Sequence, residues 1–311
     1  MLFAALPGTA VHGGAFIQYA LRMGASAVLT DAEGAKLAEA ELAASDAALI
    51  VSENPRQVLA YTAALWFGAQ PETMIAVTGT NGKTSVSSFA RMIWQELGLR
   101  AVNLGTTGVE GDWSAPLAHT TPEPITLHRT LAAATEAGIT HAAMEASSHG
   151  LSQYRLDGVQ LAAAGFTNFT QDHLDYHATF EEYFDAKAAL FGRVLGDDGV
   201  AVINIDDPRG PDMAAIAQKR EIEVISVGRM EGADIQLTAQ RFHGMGQEVF
   251  FKHNSRGYRA DLKLMGGFQA ENVLLAAGLV IAAGEDPQAV FETLAHMETV
   301  RGRMQLAATR D

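Results

Sequence analysis

The sequence predicts an α/β fold with a mostly parallel sheet flanked by helices, preceded by a smaller, partial α/β domain. Short apolar stretches alternate with longer helix-like stretches along most of the chain, which is typical of parallel strands joined by crossover helices. A glycine-rich loop, residues 78–84, also stands between one such strand and one such helix. The length of 311 residues indicates two domains, since a domain averages about 150 residues.

The first part of the chain contains two predicted strands with a helix between them. Ala27–Leu29 and Leu49–Val51 are short and apolar, so we expect buried strands. Residues 32–44 are rich in Ala and Glu, which favour a helix. Residues 68–71, Gly-Ala-Gln-Pro, predict the joint between this part and the rest of the chain.

The second part contains the strands of the larger predicted sheet. The strand candidates are Met74–Val77, His141–Met144, Ala163–Phe166, Val200–Ile205 and Val224–Val227. Residues 233–265 show shorter alternating segments, which predict an antiparallel patch. The final helix, predicted over residues 272–283, is apolar nearly all round and should be buried.

Composition and charge exclude several classes of protein. With 48% hydrophobic residues the chain can bury a core, which excludes wholesale disorder. The longest uncharged apolar run, residues 273–284, is shorter than the roughly 20 residues that cross a bilayer, so we expect no membrane span. The net charge of −14 argues against nucleic acid as a partner, and anions would need a local site. No cysteine is present, which excludes thiolate chemistry, and without a secretion signal we expect a cytoplasmic location.

The strongest local motif is Thr78-Gly79-Thr80-Asn81-Gly82-Lys83-Thr84, which follows the strand candidate that ends at Val77. A strand, a glycine loop and a helix together surround an anion with backbone N–H groups, as in P-loop-type domains. Lys83 would reach the β- and γ-phosphates of a nucleotide, and the Thr84 hydroxyl would bind Mg²⁺. Val77 replaces the first glycine of the general pattern, so a simple strand-to-helix turn is the alternative.

Two further polar clusters follow predicted strands. Glu145 stands at the end of one, where ligands bind in open α/β sheets, although Glu-Ala-Ser-Ser also fits a helix start with a capping serine. His173 and His177 are four residues apart and would share a helix face. Nearby oxygen ligands and the phosphate loop favour Mg²⁺ over zinc, and we expect at most one of the two histidines to contact metal.

Lys187 is an unusual residue, because it lies on the apolar face of a helix predicted over residues 180–194. One interpretation is snorkelling, in which the amine reaches past the edge of the face into water. The other is a neutral amine that reacts with CO₂ to form a carbamate, an anionic oxygen ligand suited to a second Mg²⁺. The residues by themselves favour snorkelling.

Taken together, these segments resemble the Mur ligase family of ATP-dependent amide-forming enzymes, and within it the branch that adds the third amino acid of the peptidoglycan stem peptide. The resemblance runs from about residue 2 to residue 304. Its most specific part combines residues 119–122, His-Thr-Thr-Pro, with residues 145–155. Residues 168–177 and 183–191 add to it.

The resemblance implies a complete set of site residues. Those for catalysis are Lys83, Lys187 and His173. Those for metal are Thr84, Glu145, His173 and Lys187, the last as a carbamate, which reverses the preference for snorkelling. Those for ATP are Gly79, Thr80, Asn81, Gly82, Lys83, Thr84, Asn272 for adenine and Arg303 for phosphate. Those for the sugar-peptide substrate are Thr120, Thr121, Ser147, Gln153 and Arg155. Gln269 stands where the family more often has Asn.

The resemblance also implies a reaction and a domain plan. ATP would activate a carboxylate of UDP-MurNAc-L-Ala-D-Glu as an acyl phosphate, with two Mg²⁺ ions, and the amine of meso-diaminopimelate or L-lysine would attack it. We expect residues 1–72 to form part of a UDP-binding-type domain and residues 73–306 to form an ATP-binding domain. Residues 307–311 would be the start of an absent third domain. A monomer is expected. The alternatives are a catalytically silent nucleotide- or UDP-sugar-binding module and, more weakly, an ordinary P-loop phosphotransferase or switch NTPase.

Overall fold

The computed structural model describes residues 1–8, 10–170, 177, 179–244 and 246–300. The strands are β1 (Leu2–Ala4), β2 (Ala27–Thr30), β3 (Ala48–Val51), β4 (Thr73–Thr78), β5 (Ala101–Gly105), β6 (Gly108–Gly111), β7 (His141–Glu145), β8 (Ala163–Phe166), β9 (Val200–Asn204), β10 (Glu223–Gly228), β11 (Ile235–His243), β12 (Gly246–His253) and β13 (Arg256–Leu262). The helices are α1 (Ile17–Arg22), α2 (Ala32–Leu37), α3 (Glu39–Ala43), α4 (Pro55–Phe67), α5 (Lys83–Glu96), α6 (Pro124–Glu136), α7 (Ser148–Ser152), α8 (Phe180–Ala189), α9 (Gly210–Gln218), α10 (Phe268–Ala282) and α11 (Pro287–Thr293). Within these ranges no helix is both long enough and apolar enough to cross a membrane.

The small first sheet has the order β1-β2-β3, with all strands parallel. Both strands predicted in this region are confirmed, but the expected burial of Leu49–Val51 is wrong. These side chains are 43–51% exposed, because β3 is the edge strand and pairs only with β2 among the described strands. The helix predicted over residues 32–44 is divided into α2 and α3 at Ala38, whose φ of −126° lies outside the helical range.

The large sheet has the order β13-β12-β11-β10-β9-β8-β4-β7-β5-β6. Its strands from β11 to β5 in this order are parallel, and β6, β12 and β13 are antiparallel to their neighbours. The predicted strands and the antiparallel patch are therefore confirmed. Strand β4 lies between β7 and β8, so the loops that follow these three strands meet at one edge of the sheet.

Helices cover both faces of the large sheet, and the residues of β4 alternate between the two cores. Ile75 and Val77 pack with α5 and α10, whereas Met74 and Ala76 face the opposite core. This two-sided burial explains why the parallel strands are apolar throughout. Helix α10 is buried as predicted, but it begins at Phe268, four residues before the predicted start.

The α-helix that carries Lys187 is shorter in the structure than predicted. Helix α8 ends at Ala189, and a single π-turn over Leu190–Val194 continues it. Tyr183, Phe184 and Phe191 are buried on its apolar face, as the spacing predicted. The turn shifts the residues after Ala189 relative to those of a regular helix.

Two tryptophans provide a matched test of the core. Trp94 on α5 is 0% exposed and Trp66 on α4 is 83% exposed. We expect Trp94→Ala to lower the free energy of unfolding by about 3–5 kcal/mol, because it leaves a large cavity. Trp66→Ala should change it by less than about 0.5 kcal/mol. Urea denaturation followed by circular dichroism measures both, and equal losses would contradict this packing.

Candidate active site

A cavity of about 960 Å³ lies beyond the carboxyl ends of the central strands. Residues after β4, β5, β7 and β8 contribute to its walls, as expected for an open parallel sheet. It brings together most of the predicted site residues, namely Thr80, Asn81, Gly82, Lys83, Thr84, Thr120, Thr121, Glu145, Ser147, Arg155, Lys187 and Asn272. Gly79 and Gln153 are not in its lining but contact residues that are. The predicted site residues His173 and Arg303 lie outside the described residues.

The phosphate loop connects β4 to α5, and its two glycines adopt conformations that other residues avoid. Gly79 has φ 141° and Gly82 has φ 88°. A Cβ at Gly79 would lie 1.8 Å from Oγ1 of Thr167, and one at Gly82 would lie 2.7 Å from Oδ1 of Asn272. The glycines therefore permit both the turn and the close approach of β8 and α10.

Side chains that follow β8 hold the loop from one side. The Asn81 N–H donates to Oδ1 of Asn168 (2.9 Å), and Oγ1 of Thr167 donates to the Asn81 carbonyl (2.6 Å). Asn168 was not among the predicted site residues, although a polar segment directly after an apolar strand was the available signal. Lys83 lies over the same loop, and its Nζ donates to the carbonyls of Gly79 (2.8 Å) and Thr80 (2.9 Å). The N-terminus of α5 and this ammonium form a site suited to an anion.

Glu145 ends β7 with its carboxylate buried beside the phosphate loop. Its Oε1 accepts hydrogen bonds from Oγ1 of Thr84 (3.0 Å) and from the N–H of Thr106 (2.9 Å). A Cβ at Gly105 would lie 1.9 Å from the same oxygen, so a larger residue there would displace the Glu145 carboxylate. Thr106 is a further residue missed by the sequence analysis, for which the Gly-Thr-Thr run after β5 was a weak signal.

The hydroxyl of Thr84 and the carboxylate of Glu145 are hard oxygen donors of the kind that Mg²⁺ prefers. Among the described residues, no group of three or more His, Asp or Glu side chains could hold a metal ion by itself. This donor set fits Mg²⁺ that is bound jointly by one or two protein oxygens and by the phosphates of a nucleotide.

Lys187 is 1% exposed and lines the same cavity. Its Nζ donates to the Gly79 carbonyl (2.8 Å) and lies 4.3 Å from the centre of the Tyr183 ring. The amine therefore stays inside the protein, and the snorkelling interpretation is wrong. The helix carries this side chain inward because its neighbours on the same face are buried aromatic residues.

Thr121 organises a further part of the cavity lining. Its Oγ1 donates to the carbonyl of Glu145 (2.8 Å) and accepts from the N–H of Ser147 (3.0 Å). Arg155 donates through Nη1 to the Thr121 carbonyl (2.7 Å) and through Nη2 to Oε1 of Gln153 (2.8 Å). These bonds give the guanidinium a defined direction at the edge of the cavity.

Ser147 has a structural role as well. Its Oγ accepts from the N–H of Gly150 (3.0 Å) and caps α7, as the helix-start interpretation expected. Thr120 meets Thr106 through their hydroxyls, 3.1 Å apart. Ser147 and Thr120 both line the cavity, so capping does not remove Ser147 from the site.

Helix α10 forms the remaining wall. Nδ2 of Asn272 donates to Oε1 of Gln269 (3.2 Å), and both side chains are buried. Gln269 therefore orients the Asn272 amide. Phe268 lines the cavity with half of its side chain exposed, and the sequence analysis missed it because the predicted helix began later.

Comparison with protein families matches two models to most of the chain. The Mur ligase middle domain matches residues 77–280, and the Mur ligase family catalytic domain matches residues 1–66. A UDP-N-acetylmuramoyl-L-alanyl-D-glutamate–2,6-diaminopimelate ligase of Bradyrhizobium diazoefficiens is 41% identical over 316 residues, which covers 100% of this chain and 63% of that protein. The ligase of the same name from Caulobacter vibrioides is 43% identical over 311 residues, with 98% and 62% covered. The chain thus spans somewhat less than two thirds of the length of these relatives.

Solved structures agree with the family models. A structure of a UDP-N-acetylmuramoyl-L-alanyl-D-glutamate–2,6-diaminopimelate ligase superimposes with a TM-score of 0.85 at 29% identity and covers 100% of this chain and 62% of its own. MurF ligase from Thermotoga maritima, in complex with ADP, has a TM-score of 0.63 at 19% identity, with 99% and 66% covered, which shows the shared fold. The match of the middle-domain model over most of the chain establishes the family. The chain belongs to the Mur ligase family.

Proposed function

We propose that this protein acts as an ATP-dependent ligase that adds meso-diaminopimelate to the γ-carboxylate of UDP-MurNAc-L-Ala-D-Glu in peptidoglycan biosynthesis. The observation that carries the proposal is the meeting of three features in one cavity: the phosphate loop, the buried Glu145 carboxylate and the oriented Arg155 guanidinium. The names of relatives at 41% and 43% identity support diaminopimelate over L-lysine as the amino acid.

The chain's own residues account for nucleotide binding in this proposal. Backbone N–H groups at the N-terminus of α5 face the phosphates, and Lys83 exchanges its bonds to the loop carbonyls for phosphate oxygens. Asn272, oriented by Gln269, contacts the adenine. Arg303, outside the described residues, remains a proposed phosphate contact.

The residues that would hold Mg²⁺ are Thr84 and Glu145, with His173 as a further proposed ligand outside the described residues. When bound, Mg²⁺ supplies positive charge between the substrate carboxylate and the γ-phosphate of ATP. Thr106 holds the Glu145 carboxylate in place through its N–H. Two such ions remain part of the proposal.

Lys187 is proposed to carry a carbamate. Its neutral amine would form an N–C bond to CO₂ and lose one proton, which leaves an anionic oxygen ligand. The position supports this chemistry, because Nζ is buried at the cavity wall on the same side as the phosphate loop. The carbamate would provide ligand atoms for the second Mg²⁺.

The proposed reaction proceeds in two steps. The substrate carboxylate attacks the γ-phosphorus of ATP, ADP leaves, and an acyl phosphate forms. The neutral amine of the amino acid then attacks the acyl carbon, the C–O bond to phosphate breaks, and the amide forms as phosphate leaves and the nitrogen loses one proton to solvent. Lys83 offsets the charge that develops on the transferred phosphoryl group, and Arg155 with Thr121 orients the peptidyl substrate.

A catalytically silent binding module is the second candidate, since the chain spans only 62–63% of the curated relatives' length.

A monomeric state, a cytoplasmic location and the absence of nucleic-acid or membrane partners remain expectations from the sequence.

A ligation assay on the 311-residue chain separates the two candidates. We expect a tripeptide product by mass spectrometry with ATP, Mg²⁺, bicarbonate, UDP-MurNAc-L-Ala-D-Glu and meso-diaminopimelate, and far less with L-lysine. Binding of ADP and of the UDP-sugar dipeptide without product would favour the silent module. Preferential addition of L-lysine would contradict the proposed amino acid.

Lys83→Ala tests the phosphate loop. We expect ligation to fall about a hundredfold or more, because the variant removes a charged donor aimed at the transferred phosphoryl group. Lys252→Ala is the matched control, since Lys252 is exposed on β12 and does not line the cavity. Calorimetric titration with ADP and Mg²⁺ provides the second measurement. Unchanged ADP affinity and ligation in the Lys83 variant would contradict the assignment.

The carbamate on Lys187 is tested directly by ¹³C NMR with labelled bicarbonate at alkaline pH. We expect one carbamate resonance that is protected from exchange with bulk CO₂ and is missing in Lys187→Ala. The signal should weaken as pH falls, because protonation removes the nucleophilic amine. A spectrum that is identical for the protein without substitution and for the variant would show that Lys187 carries no carbamate.

A further inference from the structure

The turn over residues 153–155, which follows α7, has a strained backbone at its central residue. Tyr154 has φ 57°, in the left-handed region that a side chain disfavours. The N–H of Arg155 donates to the Gly150 carbonyl (2.9 Å) and closes the turn. A residue with a side chain keeps such a conformation where surrounding contacts hold it.

Arg193, in the π-turn after α8, supplies such contacts. Its guanidinium carbon lies 4.1 Å from the centre of the Tyr154 ring, and its Nη2 donates to the Leu151 carbonyl (2.7 Å). Its Nη1 forms an ion pair with the carboxylate of Asp157. One planar guanidinium therefore contacts residues before, within and after the turn.

Asp157 anchors the far side of the turn. It is 2% exposed, and its Oδ1 accepts from Nε2 of Gln57 on α4 (2.8 Å). Burial lowers the pKa of the adjacent His128, so this imidazole is neutral at pH 7 and adds no second cation. Arg193 thus supplies the positive charge that compensates the buried carboxylate.

The turn presents Arg155 to the cavity and places Gln153 beside it. Oε1 of Gln153 accepts from both Nε (3.2 Å) and Nη2 (2.8 Å) of Arg155, which fixes the plane of the guanidinium. Arg155 lines the cavity, whereas Arg193 and Asp157 do not. Neither residue therefore lines the ligand cavity, and their printed contacts connect them to Arg155 through the turn.

We propose that Arg193 and Asp157 are positioning residues that hold the turn 153–155 so that Arg155 is oriented for the anionic UDP-sugar dipeptide before it binds. This inference rests on the proposed function for the identity of the ligand. The same helix and its π-turn carry Lys187 to the phosphate loop and Arg193 to the substrate turn. The phosphate loop and the turn 153–155 are therefore both contacted by side chains of one continuous segment, residues 180–194.

Arg193→Ala tests the proposal in the whole chain, with two readouts. We expect faster hydrogen–deuterium exchange in residues 150–157 of the ligand-free protein, because the strained turn loses its contacts. We also expect the Kd for UDP-MurNAc-L-Ala-D-Glu to rise about tenfold, with the Kd for ADP unchanged. Arg193→Lys keeps the charge beside Asp157 but loses hydrogen-bond donors. Its exchange rate and its Kd for the UDP-sugar dipeptide should therefore lie between those of the protein without substitution and those of Arg193→Ala.

Arg220→Ala is the matched control. Arg220 donates to the carbonyls of Phe191 and Leu195 and pairs with Asp197, so it also has carbonyl and carboxylate partners, but none of these belongs to the turn. Its variant should leave exchange in residues 150–157 and both affinities unchanged. The proposal would be overturned by an equal loss of affinity for the UDP-sugar dipeptide in Arg220→Ala. It would also be overturned if Arg193→Ala lost affinity for ADP and for the UDP-sugar dipeptide equally.

The exchange readout keeps this inference separate from the proposed function. If the unmodified chain binds no UDP-sugar dipeptide, the proposed substrate is wrong, and the ligand-free exchange decides the structural part. Faster exchange in residues 150–157 that is confined to the Arg193 variants supports positioning. Unchanged exchange there overturns it.

Discussion

The close approach of β8 and α10 to the phosphate loop is the constraint on which the rest of the site depends. Gly79 and Gly82 permit it, since a Cβ at either position would overlap Thr167 or Asn272. Hydrogen bonds with the side chains of Thr167 and Asn168 support the backbone of the loop just before α5. The N–H groups at the start of α5 are therefore already oriented toward the position of a bound anion.

The charges of the cavity differ from those of the protein as a whole. The chain carries a net charge of −14, yet Lys83, Arg155 and Lys187 all line one cavity. Two carboxylates line the same cavity, those of Glu271 and of Glu145, and the latter is held by hydroxyl and N–H donors. The local field in this concave site therefore depends on these few groups, and an acidic protein can still bind polyanionic ligands there.

Local sequence patterns predicted most of the strands, the phosphate loop and the buried helix α10, because backbone preference and apolar periodicity act over a few residues. The same reasoning failed where burial depends on a partner. Leu49–Val51 has the composition of a core strand, but its place at a sheet edge leaves it exposed. The local residues around Lys187 favoured snorkelling, whereas the fold places the Gly79 carbonyl beside its amine.

By itself the sequence determined the strand–loop–helix unit, the two glycines and the family to which the chain belongs, since each depends on short, ordered motifs. The tertiary structure alone decided which distant groups meet. Thr106 reaches Glu145 across 39 positions, and Asp157 meets Gln57 across 100 and Arg193 across 36. No local preference encodes such pairs, because they form when separate strands and helices pack on one sheet.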